Sequence, residues 1–328
     1  MRLIPVIAVM AVLTSACGSD AESTKEEGGV RVELPKDDAP HLGEPVEWWY
    51  WTGHLETAEP RHFGFELVFF RATVPSEGMM AHFAIADVDE GIFVYDSLIQ
   101  PGAMESQEDA FDLSLGEWSA AGGDGEDELH GETGAYVLDL ALEASKPAVL
   151  HHGDGYIEYP VGGYTYYYSR ERMAADGTLT VDGTSHEVTG SAWFDHQYGD
   201  LAAVSEQGWD WYAIQLDDDR EIMLFLLHEG DSTDLIGGTF TDAEGESHEL
   251  APEQVSVVAD REWTNGEGDC TYPLGWTIEI EDLELEVVPV MDDQEVRPVF
   301  GPVYWEGDAT VSGDATGQAY VELNGYCD

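Results

Sequence analysis

The sequence predicts an all-β protein whose strands form barrels or sandwiches. Short β-prone runs recur along the chain with turn residues between them, whereas helical periodicity is scarce. Many short strands at close spacing are typical of these two architectures. Hydrophobic residues make up 43% of the chain and aromatic residues 11%, which is enough to build packed cores. The predicted strands after the first hairpin are Val137–Ala144, Gly155–Tyr159, Gly163–Tyr168, Thr178–Val181, Trp209–Leu216, Glu221–Leu227 and Trp276–Val288.

The first predicted element is a hairpin between Pro45 and Arg71. Four consecutive aromatic residues at positions 48–51 precede turn-forming residues at 59–61, and a second apolar run covers Phe63 to Phe70. Two aromatic, β-prone runs separated by turn residues favour an antiparallel pair. Because tryptophans occupy both faces of the first strand, we expect one face to fill a core. The other face should line a cavity or pack on a second domain.

Two later elements follow from turn signals and from alternation. Asp176-Gly177 and Asp182-Gly183 predict two turns with a short strand, Thr178–Val181, between them. Within the predicted strand Trp276–Val288, the run from Ile278 to Val287 alternates apolar and acidic residues, so it predicts a strand with one solvated face. The alternation is disturbed once, near Asp282.

Residues 1–17 are predicted to be a lipoprotein signal peptide. The apolar stretch from Leu3 to Leu13 follows a positive residue and is too short to span a bilayer. Small residues before Cys17 resemble a lipobox, with Thr14 in place of the usual leucine, so we expect Cys17 to be lipidated and to anchor the protein in the bacterial envelope. Ordinary cleaved export and a retained anchor are the alternatives. Residues 18–40 are polar and predict a flexible tether.

Acidic residues dominate the charge of the chain. It has 12 Lys and Arg against 68 Asp and Glu, a formal net charge of −56 at pH 7. This charge makes nucleic acids and anionic lipid surfaces poor partners. We interpret it as adaptation of an exported protein to a salty medium. Calcium binding is the alternative, although the sequence contains no EF-hand loop with the full ligand spacing.

Two cysteines besides Cys17 are present, Cys270 and Cys327. Export favours the oxidation of thiols, and both residues lie in the C-terminal part of the chain. We therefore expect a disulfide that joins the last strand to an earlier loop. The cysteine spacing does not match a metal-binding motif.

The most suggestive group for chemistry is the sequence DHQYGD, which begins at Asp195. In a strand, Asp195 and Gln197 point one way while His196 and Tyr198 point the other. A functional interpretation puts His196 and Tyr198 on a cavity wall. Asp195 or Asp200 then orients the histidine, whose imidazole transfers protons near neutral pH. The structural interpretation is that these groups link two barrels by hydrogen bonds.

A second group surrounds Asp210, which lies between Trp209 and Trp211. An acid in such apolar surroundings has a raised pKa and can hold a proton at neutral pH. The alternative is an ordinary hydrogen bond of Asp210 to the backbone or to Arg71. Glu47 is also expected to pair with Arg71, and a structural salt bridge at a barrel mouth is the plainer interpretation of that pair.

Tyrosines supply further phenol groups on both faces of one strand, at Tyr164 and at 166–168. The neighbouring histidines His151 and His152 are only a weak signal of a metal site, because adjacent side chains diverge in a strand. HExxH, GxSxG, P-loop and GxGxxG motifs are absent from the sequence. Nucleophilic hydrolysis, nucleotide binding and zinc chemistry therefore have no support from motifs.

Seven motifs follow the opening hairpin, and the resemblance that they carry covers nearly everything after residue 40: AHFAIADV at Ala81–Val88, YYYSR at Tyr166–Arg170, GTLTVDG at Gly177–Gly183, VTGSAWFDHQYGD at Val188–Asp200, GWDWYAIQLDDDREIMLF at Gly208–Phe225, YWEGDATVSG at Tyr304–Gly313 and GQAYVELNGY at Gly317–Tyr326. In this order they resemble the AttH-like family, which includes the carotenoid 1,2-hydratases. The resemblance implies two lipocalin-like β-barrels in tandem. We place the barrels at residues 41–203 and 204–328, because 199–208 separates DHQYGD from a new run of strands.

In the hydratase branch of that family, water adds across an isolated carbon–carbon double bond of an isoprenoid. Such a reaction needs a strong acid and an apolar wall that tolerates a carbocation, and it requires no cofactor. By this resemblance Asp195 or Asp210 is the acid, and His196 activates water. The catalytic candidates are Asp195, His196, Tyr198 and Asp210. The ligand-binding candidates are Glu47, Trp48, Tyr50, Arg71, Tyr166, Tyr168, Trp209 and Trp211.

Three functions stay open at this point. The first is a hydratase-like or cyclase-like enzyme acting on an isoprenoid or related lipid, and the second is a non-enzymatic binder or carrier of a hydrophobic molecule. The third is a purely structural envelope protein. The resemblance is to the core of the family and does not single out the carotenoid branch. We expect a monomer whose partners are a hydrophobic small molecule and, through Cys17, a membrane.

Overall fold

The structure is a computed structural model that describes residues 31–73, 76–105, 107–229 and 232–327. Strands dominate these residues, which confirms the all-β prediction. The predicted signal peptide and Cys17 lie outside the described residues. Within the described ranges, no helix is long and apolar enough to cross a membrane. The helical elements are α1 (Ala202–Ser205) and the 3-10 turns Lys36–Asp38, His151–Gly153 and Pro252–Gln254.

The first part of the described chain forms one antiparallel sheet that curls into a nearly closed barrel. Its strands are β1 (Val46–Thr57), β2 (His62–Ala72), β3 (Gly78–Asp87), β4 (Ile92–Pro101), β5 (Phe111–Leu115), β6 (Trp118–Gly123), β7 (Glu126–Thr133), β8 (Tyr136–Ala144), β9 (Val149–Leu150), β10 (Tyr156–Glu158), β11 (Tyr164–Val181) and β12 (Thr184–Asp200). Their order is β4-β3-β2-β1-β12-β11-β8-β7-β6-β5, with β9 and β10 paired to β11. The end strands β4 and β5 come into contact, which brings the barrel close to closure.

The remainder forms a second antiparallel sheet, shaped as a half-barrel. Its strands are β13 (Trp209–Leu216), β14 (Glu221–Glu229), β15 (Ser232–Thr241), β16 (Ser247–Glu249), β17 (Val255–Thr264), β18 (Thr271–Ile280), β19 (Leu283–Pro289), β20 (Glu295–Val296), β21 (Tyr304–Gly313) and β22 (Gly317–Asn324). Their order is β16-β15-β14-β13-β22-β21-β19-β18-β17, with β20 paired to β21. A disulfide joins Cys270, just before β18, to Cys327, just after β22. The two sheets match the tandem lipocalin-like barrels that the resemblance implied.

The opening hairpin has the antiparallel pairing that the sequence predicted, with β1 beside β2. Trp49 and Trp51 point into the core of the first barrel and are fully buried. Trp48 and Tyr50 lie on the opposite face, where Tyr50 packs in a separate apolar cluster with Trp211 of the second sheet. Both faces of β1 are therefore covered, as expected for a strand with tryptophans on both sides.

One predicted turn and one predicted strand differ from the structure. Asp176-Gly177 lies inside β11, which runs on to the Asp182-Gly183 turn. This glycine serves a close backbone approach instead, because a Cβ there would lie 2.0 Å from the carbonyl oxygen of Asp139 on β8. The single strand predicted over Trp276–Val288 is two strands, β18 and β19, which are separated by a turn at residues 281–282.

The described part of the predicted tether packs against the first barrel, so the predicted flexibility of residues 18–40 does not extend over residues 31–40. Val32 and Asp38 are buried. The Asp38 carboxylate accepts two hydrogen bonds from the Arg170 guanidinium, at 2.8 and 3.0 Å, and a third from the Tyr168 hydroxyl. The composition of residues 18–40 could not predict that this segment packs on the barrel, because the two partners of the buried ion pair lie 132 residues apart in the sequence.

The two sheets pack face to face, with β1, β2 and β12 against β13, β21 and β22. Polar bridges cross the apolar cluster between them. His54 Nδ1 on β1 lies 3.0 Å from Asp308 Oδ1 on β21, and the Gln215 amide donates a hydrogen bond to the Ala192 carbonyl at 3.1 Å. Gly64 on β2 allows the sheets to approach, because a Cβ there would lie only 2.8 Å from the Cβ of Asp308.

We expect Gly64→Ala to lower the free energy of unfolding by about 1–3 kcal/mol, because the added methyl group overlaps Asp308 across the packed sheets. Gly43→Ala is the matched control, since no heavy atom lies within 4 Å of its Cβ position. Urea unfolding followed by tryptophan fluorescence measures both variants. Equal unfolding midpoints would contradict the close approach of the two sheets at Gly64.

Candidate functional site

A cavity of about 310 Å³ lies between the two sheets. Its wall is mostly aromatic and aliphatic, with a small number of polar groups, a composition typical of small-molecule sites. The lining residues come from both sheets, from α1 and from the loop before β21. They are Val46, Trp48, Tyr50, Glu66, Val68, Phe70, Met80, His82, Tyr167, Asp195, Gln197, Leu201, Val204, Ser205, Trp209, Trp211, Phe225, Phe300, Gly301, Pro302, Tyr304, Glu306, Glu322 and Asn324.

The alternation of side chains along each strand selects which residues face the cavity. On β2, the odd-numbered residues from Phe65 to Phe69 fill the core of the first barrel, whereas Glu66 and Phe70 line the cavity. On β12, Asp195 lines the cavity and the next residue, His196, points into the barrel. A strand between two sheets therefore gives alternate side chains to a core, and some of the remainder line the cavity.

Four carboxyl groups line the cavity, those of Glu66, Asp195, Glu306 and Glu322. None of the described residues that line it is a lysine or an arginine. Burial lowers the pKa of His82 to about 4, so this lining histidine is neutral at pH 7. Glu306 and Glu322 are directly paired across β21 and β22, where like charges repel. Carboxyl groups in this setting retain their protons well above their usual pKa.

Glu66 is a buried acid with one free oxygen. Burial raises the pKa of Glu66 to about 8, opposed by a hydrogen bond that the Tyr304 hydroxyl donates to Oε1 at 3.0 Å, and the field of Glu322 adds to the rise. His82 Nδ1 lies 2.7 Å from the same hydroxyl. Oε2 of Glu66 has no hydrogen-bond partner among the described residues. At neutral pH the Glu66 carboxyl group is therefore mostly protonated.

Glu306 is the second buried acid of this kind. Burial raises the pKa of Glu306 well above its usual range, and the fields of Glu66 and Glu322 add to it. The Tyr50 hydroxyl donates a hydrogen bond to Oε1 at 2.5 Å, while Oε2 has no partner within the described part of the chain. Glu322 is half-buried, and burial raises its pKa to about 7 against a hydrogen bond from Trp209.

Asp195 differs from the three glutamates because it accepts several hydrogen bonds. The Tyr167 hydroxyl donates to Oδ2 at 2.6 Å, the Trp193 indole donates to Oδ1 at 2.7 Å, and the Ser169 hydroxyl also donates to Oδ1. Burial raises the pKa of Asp195, and these three bonds limit the rise to about 6. The cavity thus combines acids that are protonated at neutral pH with one carboxylate that is ionised, the pairing that acid–base catalysis requires.

Five of the residues proposed from the sequence line the cavity. They are Trp48, Tyr50, Asp195, Trp209 and Trp211. The other seven lie elsewhere, because alternation turns them to the opposite faces of the same strands or because they lie beyond the cavity on neighbouring strands. These seven are Glu47, Arg71, Tyr166, Tyr168, His196, Tyr198 and Asp210.

His196 lies inside the first barrel, and Glu47 rather than Asp195 or Asp200 orients its ring. His196 Nε2 lies 3.0 Å from Glu47 Oε1, and its Nδ1 lies 3.1 Å from the Tyr168 hydroxyl. The aromatic ring of Tyr198 stacks on His41 at a centroid distance of 3.4 Å and on Tyr166 at 5.0 Å. These residues form one polar and aromatic network that closes an end of the barrel.

Glu47 and Arg71 face each other in that network, with Arg71 Nη1 3.6 Å from Glu47 Oε2 and both side chains fully buried. Burial acts to raise the pKa of Glu47, but hydrogen bonds from His196 and His41 outweigh it and the pKa is lowered. One ligand atom from each of His41, Glu47 and His196 lies within 4.8 Å of the others, so these three residues could hold a metal ion. In this structure they are satisfied by hydrogen bonds to one another.

The side chain of Asp210 lies on the face of the second sheet that is turned away from the cavity, and it does not pair with Arg71. Its Oδ1 accepts a hydrogen bond from the Tyr326 hydroxyl at 2.8 Å and lies 3.0 Å from His228 Nε2. Trp209 and Trp211 point the other way, as the strand pattern predicted. The apolar surroundings that the sequence suggested for Asp210 therefore belong to its neighbours, and its own side chain lies in a polar group.

Three acids of the cavity, Glu66, Glu306 and Glu322, are absent from the candidates that the sequence suggested. Each one interrupts an apolar, β-prone run, FELVFF, YWEGD or YVELN. An acid within such a run is a usable signal of a buried carboxyl group. The pattern alone does not separate it from an acid on a solvated face, because both give the same alternation.

The profile of the AttH-like family matches residues 25–326 of this chain. The crystal structure of a Nitrosomonas europaea protein assigned as an AttH superposes with a TM-score of 0.83 at 29% identity, covering 90% of this chain and 97% of that one. Kievitone hydratase from Nectria haematococca superposes with a TM-score of 0.76 at 17% identity, covering 90% and 93% of the two chains. This second likeness shows a shared fold.

A sequence relationship to a hydratase is also present. Kievitone hydratase of Fusarium solani subsp. phaseoli is 22% identical over 167 residues, which cover 49% of this chain and 47% of that protein. The matched region thus spans about half the length of the hydratase. The relationship supports a hydratase-like fold.

Replacing Glu66 by glutamine should remove a pH-dependent cost of folding. A carboxyl group whose folded pKa is raised from 4.5 to about 8 binds more protons in the folded state within that window, so the free energy of unfolding falls as pH rises through it. We expect Glu66→Gln to gain stability relative to the unmodified protein between about pH 5 and about pH 8.5. Urea midpoints at both pH values measure this, with the exposed Glu128→Gln as control. The same pH slope in all three proteins would contradict the protonated Glu66.

Proposed function

Because the chain belongs to the AttH-like family, we propose that it is a hydratase-type enzyme whose active site is the cavity between its two sheets. It adds water across an isolated carbon–carbon double bond of a hydrophobic substrate. An isoprenoid or a related lipid is the substrate class that the aromatic wall favours. The likeness of the chain to kievitone hydratase in sequence and fold supports this reaction type.

A buried, protonated carboxyl group beside an aromatic wall is the observation that carries the proposal. Hydration of an isolated alkene begins with the transfer of a proton to carbon, which needs an acid that stays neutral until the substrate arrives. Glu306 meets this requirement, because it is fully buried, its pKa is raised by burial, and its Oε2 is free of hydrogen bonds to the described residues.

In the proposed reaction Glu306 donates its proton to one alkene carbon, and the positive charge develops on the other. The ring faces of Trp48 and Trp211 stabilise that charge by cation–π attraction. The carboxylate left on Glu306 and the ionised Asp195 lower its energy further, because the site is shielded from solvent. Stabilisation of the carbocation is the largest task of the protein in such a reaction.

Water then attacks the carbocation and forms the new carbon–oxygen bond. Asp195 takes the proton that the water releases, since its pKa of about 6 leaves it ionised at neutral pH. Glu306 regains a proton from solvent and Asp195 gives one up, so that the net change is the addition of one water molecule. In this scheme the residues of the chain supply each proton transfer, and no cofactor takes part.

A non-enzymatic binder or carrier of a hydrophobic molecule is the second candidate. The aromatic and aliphatic side chains that dominate the lining favour it, because such a wall retains an apolar ligand without any chemistry. In a carrier, Glu306 would be one polar group among many, and its exchange for an amide of the same shape would leave the protein fully functional.

The place of action that we propose is the bacterial envelope, with the protein attached to a membrane through lipid on Cys17. The sequence around Cys17 carries this part of the proposal. A membrane anchor would keep the protein next to the apolar molecules that its cavity suits. The monomeric state is likewise a proposal from the sequence.

The hydratase function predicts that Glu306→Gln loses turnover by about a hundredfold or more and keeps ligand affinity within about threefold, because the amide keeps the shape but has no acidic proton. The assay incubates a lipid extract of the host envelope with purified protein in heavy-oxygen water. Mass spectrometry then detects products that have gained one labelled water. Native mass spectrometry of the variant measures retention of the same ligands.

Glu128→Gln is the control for that assay, because Glu128 is exposed on β7, outside the cavity. Labelled products that form equally with both variants would remove Glu306 from the mechanism. Retained ligands without any labelled product in the unmodified protein would favour the carrier instead.

The proposed anchor predicts that Cys17→Ser moves the protein from the membrane fraction to the soluble fraction while its folded part keeps the same unfolding midpoint. A thioether-linked lipid on Cys17 is the reason, because serine cannot carry it. Cell fractionation with immunoblotting and mass spectrometry of the intact protein measure the change. A variant that stays in the membrane fraction would contradict attachment through Cys17.

A further inference from the structure

The ionisable groups that line the cavity are unusual because most of them are acids. Four carboxyl groups face it, and neither a lysine nor an arginine stands among the described residues that line it. The nearest aromatic hydroxyl groups act as donors to these acids, as Tyr50 does to Glu306 and Tyr304 does to Glu66. The cavity therefore favours a ligand that carries a positive charge and disfavours an anion.

Two of the acids also have unused binding capacity. Oε2 of Glu66 and Oε2 of Glu306 are buried, and the described residues offer neither a hydrogen-bond partner. A buried polar atom without a partner costs free energy in the empty protein. A ligand that placed positive charge beside these oxygens would recover that cost.

Aromatic faces surround the acids. Trp48, Trp209 and Trp211 line the cavity together with Tyr50, Tyr167 and Tyr304. Tryptophan attracts a cation to its ring face more strongly than the other side chains do, and the combination of aromatic rings with a few acids is what recognises alkylated ammonium groups. Small hydrated metal ions fit less well, because they bind through several oxygens in place of an apolar wall.

We propose that the cavity is a binding site for an organic cation, an alkylated ammonium group carried on an apolar body. The inference rests on the proposed function, because such a cation resembles the carbocation of the hydration reaction in charge and shape. It extends that function by assigning a ligand class that binds tightly without reacting. An ammonium amphiphile is accordingly an inhibitor of the enzyme.

Protons leave the cavity when the cation binds. The titratable groups that face the site are Glu66 on β2, His82 on β3, Asp195 on β12, Glu306 on β21 and Glu322 on β22, together with the tyrosines Tyr50, Tyr167 and Tyr304. A positive charge beside the glutamates favours their ionised form and lowers their pKa. Affinity for the cation therefore rises with pH across the range in which these carboxyl groups ionise.

The test compares the affinity of the purified protein for benzyltrimethylammonium with its affinity for neopentylbenzene, the neutral isostere of that cation. Intrinsic fluorescence of the cavity tryptophans and calorimetry measure both affinities. We expect the cation to bind at least about tenfold more tightly than the isostere, with a preference that grows with pH. Its binding heat should differ between buffers of different ionisation enthalpy, because protons are released. Equal affinities for the two probes would overturn the proposal.

Glu322→Gln is the informative variant, because Glu322 lines the cavity, is only half-buried, and glutamine keeps its shape without the ionisable group. We expect it to weaken the cation at least about threefold and to leave the isostere unchanged, whereas the exposed Glu128→Gln should change neither. Tight binding of the cation by a protein without hydratase activity would support this inference and refute the proposed reaction. Hydration that proceeds without any preference for the cation would support the reaction and refute this inference.

Discussion

Burial of both faces of the same strands is the constraint on which the rest of the structure depends. Each of β1, β2, β12 and β13 gives alternate side chains to the core of its own sheet and the remainder to the space between the sheets. The polar groups of the second set cannot reach solvent, so each must find a partner, hold a proton or face a ligand. This constraint explains the protonated acids of the cavity, because they lie on the faces that the two sheets turn toward each other.

The arginines that are buried in the first barrel stand beside structural acids and not beside the cavity. Arg71 stands beside Glu47, and Arg170 pairs with Asp38, inside the first barrel. These structural acids have counter-ions, whereas none of the described residues that line the cavity is a lysine or an arginine. With 12 basic residues against 68 acidic ones, the protein places arginines beside the carboxylates that hold the barrel end together. Glu66 and Glu306 have no such counter-ion and retain protons, whereas three hydrogen bonds keep Asp195 ionised.

Much of the fold and part of the site could be predicted from the sequence. The hairpin at 45–71, the all-β class and the double burial of the tryptophan strand follow from periodicity, which is a local property. The turn predicted at Asp176-Gly177 is absent, because this glycine lies inside a strand and allows the backbone of Asp139 on another strand to approach closely. A glycine in a turn and a glycine at a close contact between strands look the same in the sequence. The residue that distinguishes them, here Asp139, is distant in the sequence.

The sequence by itself determined the strand pattern, the family and the presence of acids among aromatic residues. It even separated Asp195 from His196, because neighbours on a strand point to opposite faces. Only the tertiary structure decided which face was which: it directed Asp195 to the cavity, and it turned His196 and Asp210 away from it. It also brought Glu66 and Glu306 together from positions 240 residues apart (306 − 66). Alternation gives the relative direction of two side chains, whereas the environment of each face is set by the packing of sheets distant in sequence.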